Sequence, residues 1–239
     1  MPLPKIATPN YELVLPSTGK TIKYRPFLVK EEKILILALE SEDPKQITNA
    51  IKTTLKSCIS TRGVKVEDLP TFDIEYIFLN IRGKSVGESI DVLVTCPDDG
   101  ETQVEQKVYI DEIRVEKNEK HNPDIKLDHS LTLRMKYPSL NEFVKNNFSI
   151  SDDNTLQASM DIIASCIDVV YSEDESWAAA DCTKKELDQW LETLNTSQFK
   201  EIESFFETMP KLTHKVKVTN PNTKVESEVT MEGLQSFFG

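Results

Sequence analysis

The chain has little of what catalytic and metal-binding proteins usually carry. Of its 239 residues three are histidines, four are cysteines, and seven glycines lie scattered. None of these glycines composes GxxxxGK or GxGxxG, so no phosphate-cradling loop is written in the sequence. His121, His129 and His214 stand at no ligand spacing from one another or from a carboxylate. Cys58, Cys96, Cys166 and Cys182 are too few and too far apart for a disulfide framework. No apolar run exceeds Ile34 to Leu39, far short of the roughly 20 residues a membrane helix needs. The opening MPLPKIATPNYE is proline-bearing and has no apolar signal-peptide core, so the expected place of the protein is a cytoplasm.

Positive charge is also in short supply. The net charge is −12, with the acidic residues spread along the chain rather than gathered in a tail. Nucleic-acid binding depends on Lys and Arg neutralising phosphates, so neither nucleic acid nor membrane is expected as a partner. Two other classes stay open: an acidic DNA mimic or regulatory binding protein, and an enzyme whose site assembles only in space. The residues name no catalytic, cofactor or metal position. Cys58 and Cys166 fall within helical patterns and read as small core residues, and Ser85-Val-Gly-Glu-Ser reads as a turn before a strand.

What is present is a pattern that occurs twice. Thr21-Ile-Lys-Tyr-Arg-Pro-Phe alternates like a strand, meets Pro26 and passes into the helical LVKEEKILILALES. Leu131-Thr-Leu-Arg-Met-Lys-Tyr-Pro does the same before the helical SLNEFVKNNF, with Pro138 in the place of Pro26. An amphipathic helix follows in each half. Asp43 and Pro44 open the first, with Ile47, Ala50, Ile51, Leu55, Cys58 and Ile59 on one face. Asp153 or Asn154 opens the second, with Leu156, Met160, Ile163, Ile167 and Val170 as its stripe. Both contain Ser-Cys-Ile, at Ser57 and Ser165. The third elements match in spacing, Ile74, Ile77, Phe78 and Ile81 against Ile202, Phe205, Phe206 and Met209. Period-two hairpins follow, Ile90 to Ile110 and His214 to Met231. The expected fold is therefore α+β, in two tandem similar units of strand, helices and terminal β-hairpin. They span 1–115 and 127–239, with a polar linker at 116–126. The second unit carries an inserted helix near 183–194, for which Thr183 and Glu186 form a capping box. Residues 8–115 and 125–239 should superpose, with the turns at Cys96 and Asn220 overlaid.

Those two turns raise the question of zinc, because VTCPDDGETQVE and VTNPNTKVE share a frame and a cysteine in a tight turn is where a zinc knuckle sits. A structural site needs four ligands, typically from paired Cys-x-x-Cys turns. Here the position three after Cys96 is Asp99, and the second turn has no thiolate. No stoichiometric zinc is expected, and both turns read as chain reversals built on Pro, Asp, Asn and Gly.

ELVLPSTGKTIKYRPFLVKEEKILILALES, SVGESIDVLVTCPDDGETQVEQKVYIDEI, LRMKYPS and the terminal GLQSFF resemble the baseplate hub protein, or hub assembly protein, family of T4-like tailed phages, its cyanophage-type members especially. The resemblance spans nearly the whole chain and rests on Arg25-Pro26-Phe27, the first hairpin and the closing aromatics. It implies a non-enzymatic phage protein that helps build the central hub of the contractile-tail baseplate through protein–protein contacts. Its partners would be other hub proteins, and its place the host cytoplasm during assembly or the virion tail. Permanent component and transient assembly factor both remain open, as does oligomeric state. Some members carry Cys-x-x-Cys in the hairpins; Asp99 and the cysteine-free second turn depart from that. Phe237 and Phe238, apolar at a polar terminus, either anchor a partner or dock on the chain's own core. Arg25 either bridges to a carboxylate across an interface or pairs within its own unit.

Overall fold

The structure, a computed structural model, describes residues 6–41, 43–141, 144 and 156–237. It opens with a hairpin of β1 (Tyr11–Val14) and β2 (Thr21–Tyr24). Pro26, lacking an N–H and fixed in φ, follows that strand, and α1 (Val29–Glu40) and α2 (Pro44–Cys58) come next. Asp43 caps α2 by accepting the Lys45 N–H at 2.9 Å, with Pro44 at the first helical position, where its missing donor costs nothing. The α2 face of Ile47, Ala50, Ile51, Leu55 and Cys58 is buried. After α3 (Thr71–Val86) come the hairpin strands β3 (Ser89–Thr95) and β4 (Gln103–Tyr109), then β5 (Arg114–Glu116).

The second half runs β6 (Asp124–Lys126), β7 (Thr132–Met135), α4 (Leu156–Ser165), β8 (Ile167–Tyr171), β9 (Ser176–Ala178), α5 (Lys184–Leu191) and α6 (Thr196–Thr208). It closes with the hairpin of β10 (Lys211–Thr219) and β11 (Glu226–Glu232) and a 3₁₀ turn at Leu234–Phe237. Thr183 and Glu186 do form a reciprocal cap on α5, the Thr183 N–H reaching the Glu186 carboxylate at 2.7 Å. All strand pairings are antiparallel, in the orders β1-β2, β3-β4, β11-β10-β5 and β6-β7-β8-β9. Helices and antiparallel sheets together make the fold α+β.

Several local geometries recur between the halves. After β2 the Arg25 N–H donates to the Cys58 carbonyl at 2.9 Å, and after β7 the Lys136 N–H donates to the Cys166 carbonyl at 2.7 Å. Each Ser-Cys-Ile thus lies beside its own strand end, with the cysteine fully buried. At the hairpin tips Gly100 N–H donates to Cys96 O and Lys224 N–H to Asn220 O, both at 2.9 Å. Gly100 and Lys224 share the left-handed backbone, with φ of 69° and 65°. That conformation is free for glycine and costs a Lys roughly 1 kcal/mol.

Elsewhere the structure departs from the pattern read in the sequence. Ile167 and Val170 lie on β8, not on the helical stripe assigned to them; α4 stops at Ser165. Ile167, Val169, Val170 and Tyr171 are β-branched or aromatic, and Leu133 and Met135 on β7 offer them a ladder, with a bulge between Arg134 and Met135. Both ends of the 116–126 linker carry strand, β5 paired to β10 and β6 to β7. Asp153 and Asn154 and most of SLNEFVKNNF lie outside the described residues.

The apolar clusters also cut the chain differently from 1–115 and 127–239. One is built on Leu13, Ile22, Tyr24, Ile51, Ile74, Ile77, Val92 and Val108, and it takes in Leu212, Val216, Val218, Met231, Leu234 and Phe237 from the C-terminal end. The other holds Ile125, Leu133, Met135, Ile163, Ile167, Val170, Leu191, Ile202 and Phe205. The cause is β10, which pairs Leu212 with Val115 and so carries the last hairpin onto the first cluster.

Aromatic rings join the two clusters. Phe72 on α3 meets Tyr137 edge-on at 5.0 Å, and His121 stacks on Tyr137 at 5.5 Å and lies 5.0 Å from Phe205. His121 Nδ1 is 3.0 Å from the Thr208 hydroxyl, and its Nε2 is buried without a hydrogen-bond partner. Burial holds this imidazole below the ordinary histidine value of 6.5. The folded chain then binds fewer protons than the unfolded chain as pH falls through that value, so stability decreases with acidification. Denaturant unfolding at several pH values should show that loss starting near pH 6.5. His121→Phe, which keeps the ring and removes the titration, should flatten it.

Candidate interaction site

The first helix carries more exposed large apolar side chains than any other element among the described residues. On α1 only Glu31 and Ala38 are buried, while Val29 is 80% exposed, Ile36 50%, Leu37 55% and Leu39 44%. An α-helix buries one face, and here that face is set by Glu31, Leu35 and Ala38, which turns the rest of ILILAL outward. A contiguous apolar ridge of this kind on a folded chain marks a contact surface.

Arg25 fixes the ridge in place. Its guanidinium Nη2 lies 2.7 Å from Glu31 Oε1, and its Nη1 donates to the Pro26 carbonyl at 2.9 Å. Glu31, 2% exposed, also accepts the Leu28 N–H at 2.9 Å, satisfying a free donor at the helix start. Burial alone would push the Glu31 carboxyl up; the hydrogen bonds from Arg25 and Leu28, with Lys30 at 3.3 Å, outweigh it and hold it below the ordinary carboxylate value. Glu31 in turn raises Arg25. The sequence leaves Arg25 two roles, and the structure gives it a carboxylate in its own chain.

A second apolar surface lies on the other cluster. Leu131, Ile167, Val170, Trp177, Leu187 and Trp190 line a groove of about 390 Å³ between the β8–β9 edge and α5. Trp177 is 46% exposed there, and its cross-strand partner is Val170. The only charged group in the lining is Glu186, whose carboxylate is held low by the Thr183 backbone and hydroxyl.

Phe237 is fully buried in the first cluster beside Leu234, in a turn that lies against β3 and β11. Phe238 lies outside the described residues. The two hairpin tips meet: the Asn220 side-chain amide donates to Asp98 at 3.0 Å and Asp99 at 2.8 Å, the Thr223 hydroxyl donates to Asp98, and the Asn222 amide donates to the Thr102 hydroxyl at 3.1 Å. The positions of a paired knuckle, Cys96, Asp99, Asn220 and Thr223, are thus brought together, and hydrogen bonds join the turns. Among the described residues no group of three or more His, Cys, Asp or Glu is placed to hold a metal ion. Nor is any helix among them long and apolar enough to cross a membrane.

One pattern escapes a reading of Ser85 as turn only: Gly83-Lys-Ser-Val-Gly87 spells Gly-x-Ser-x-Gly. In a nucleophile elbow that sequence joins a strand to a helix and exposes the hydroxyl. Here it ends α3 and leads into β3. The Ser85 hydroxyl donates to Ile81 O at 2.6 Å and accepts the Phe27 N–H at 2.8 Å, tying the start of α1 to α3. Gly83 packs so tightly on Ile110 that a Cβ would stand 2.6 Å from its terminal methyl. This glycine and serine are structural.

These features define a protein that presents surfaces. The chain belongs to the T4 bacteriophage base plate protein family, whose model matches residues 8–239. No curated protein and no solved structure matches it. A phage baseplate structural role, with contacts to other tail proteins and association with the virion tail, follows from that membership.

Proposed function

We propose that this protein acts without catalysis in building the central hub of the contractile-tail baseplate, by binding other hub proteins. The observation that carries the reading is the groove at Trp177 and Trp190, an apolar recess with one charged group in its lining, in a chain whose family builds baseplates. A recess of that composition takes an apolar side chain from a partner, and Trp at its lip supplies the large contact area that concentrates binding energy. Trp177 makes a rim contact, so Trp177→Ala should leave the unfolding midpoint nearly unchanged. It should also fail to complement a phage lacking the gene. Full complementation by a folded Trp177→Ala protein would remove the groove from the reading. Mass spectrometry of purified virions beside infected-cell lysate separates a permanent component from an assembly factor.

The two halves are further proposed to be an internal duplication. In support stand the matched strand–Cys-Ile hydrogen bonds at Arg25 and Lys136 and the matched left-handed residues at Gly100 and Lys224. Superposition of 8–115 on 125–239 tests it, and discordant placement of the two hairpins would end it.

A further inference from the structure

The outward line of α1 carries one charge of each sign among apolar residues. At 100° per residue the outward line of the helix reads Val29, Lys33, Ile36, Leu37 and Glu40, flanked by Ile34 and Leu39. All seven are exposed. The basic residue lies in the first half of this line and the acidic one at its end. Apart from Arg25 and Lys30 on Glu31, the ion pairs near this helix involve other elements, and neither Lys33 nor Glu40 has a partner among the described residues.

An isologous contact requires that residue i meet j while j meets i. Consider two antiparallel copies of α1 related by a twofold axis passing between Ile36 and Leu37. Lys33 and Glu40 lie within about 20° of one another around the helix, so Lys33 of each copy then lies opposite Glu40 of the other, while Ile36 meets Ile36 and Leu37 meets Leu37 beside the axis. Shifting the register by one residue, to centre on Ile36, sets Lys33 level with Leu39 and loses the reciprocal Lys33–Glu40 pairs. The reciprocal pairs need the first of these registers, and they occur on the helix that leaves its large apolar side chains in solvent.

We infer that the α1 ridge is a homodimer interface, in which two copies of this chain pair their α1 helices antiparallel through Ile36 and Leu37 with reciprocal Lys33–Glu40 ion pairs. This goes beyond the hub reading and does not depend on it; the groove at Trp177 belongs to the other cluster.

Sedimentation of the full-length protein over a range of concentrations tests the pairing. The wild type should be a dimer. Ile36→Glu should raise its dissociation constant by about a hundredfold, because the substitution buries two unpaired charges at the axis, and Leu37→Glu should do the same. Both positions are half exposed in the single chain, so the unfolding midpoint should hold. Lys33→Glu and Glu40→Lys should each weaken the dimer by about tenfold, since each creates two like-charge contacts. The double variant Lys33→Glu/Glu40→Lys should restore it. A different hub protein bound to this face could not be rescued by that swap. A wild type that stays monomeric at all concentrations overturns the inference, as does a dimer indifferent to Ile36→Glu or unrestored by the double swap.

Discussion

Phe237→Ala should lower the unfolding free energy by about 3–5 kcal/mol, the cost of emptying a fully buried aromatic site. The ring has no accessible surface and shares its cluster with Leu234, Val216 and Met231. It reaches that place because Gly233 adopts φ of 71° and donates its N–H to Leu212 O at 2.8 Å, turning the chain back from β11. For a chain of this length the melting temperature should fall by on the order of 10 °C. Thermal unfolding by calorimetry reads it directly. An unchanged melting temperature would return Phe237 to the role of a partner anchor, and the placement in the core would be in error.

Arg25→Met should cost about 3 kcal/mol. Removing the guanidinium leaves the Glu31 carboxylate, 2% exposed, with the Leu28 N–H and a solvent-exposed Lys30, and an unpaired buried charge is expensive. Arg25→Lys should fall between, since a lysine keeps the charge without the planar fork. The double variant Arg25→Met/Glu31→Leu should regain most of the loss, because it removes both charges together. The pair also carries a pH signature. Glu31 is held below its ordinary value of 4.5, so its stabilisation is complete above that pH and disappears as pH falls through the lowered folded value. Urea unfolding between neutral pH and pH 3 should show Arg25→Met losing less stability on acidification than the wild type. Equal acid sensitivity would mean that the ion pair does not hold α1.

Periodic elements were legible in the sequence. The run from Ile74 to Ile81, the capping box at Thr183, both hairpins and the first stripe from Ile47 to Cys58 fall where spacing and turn chemistry put them; Ile59, read as the end of that stripe, is the extended residue after α2. Ile167 and Val170 were not legible, because their spacing of three is that of a helix; only the bulge between Arg134 and Met135 lets them face Met135 and Leu133 from one side of a strand. The destination of the last hairpin was hidden as well. Alternation in Val216, Val218 and Met231 shows that one side is buried, not that β5 pulls it onto the other half's core. Of the candidate surfaces, ILILAL is apolar all round, and only the burial of Glu31 and Ala38 shows which way the helix faces. Trp177 carries no periodic signal at all, since its exposure follows from the position of β9 at the edge of its sheet.

The central claim is that this family member works by binding other baseplate proteins. The most direct measurement is affinity purification of the tagged full-length protein from infected cells, followed by mass spectrometry of what accompanies it, with Trp177→Ala prepared in parallel. The wild type should bring down baseplate hub proteins, and the folded Trp177→Ala protein should lose them. Recovery of the same hub proteins with both would contradict the groove, and recovery of none with the wild type would contradict the account as a whole.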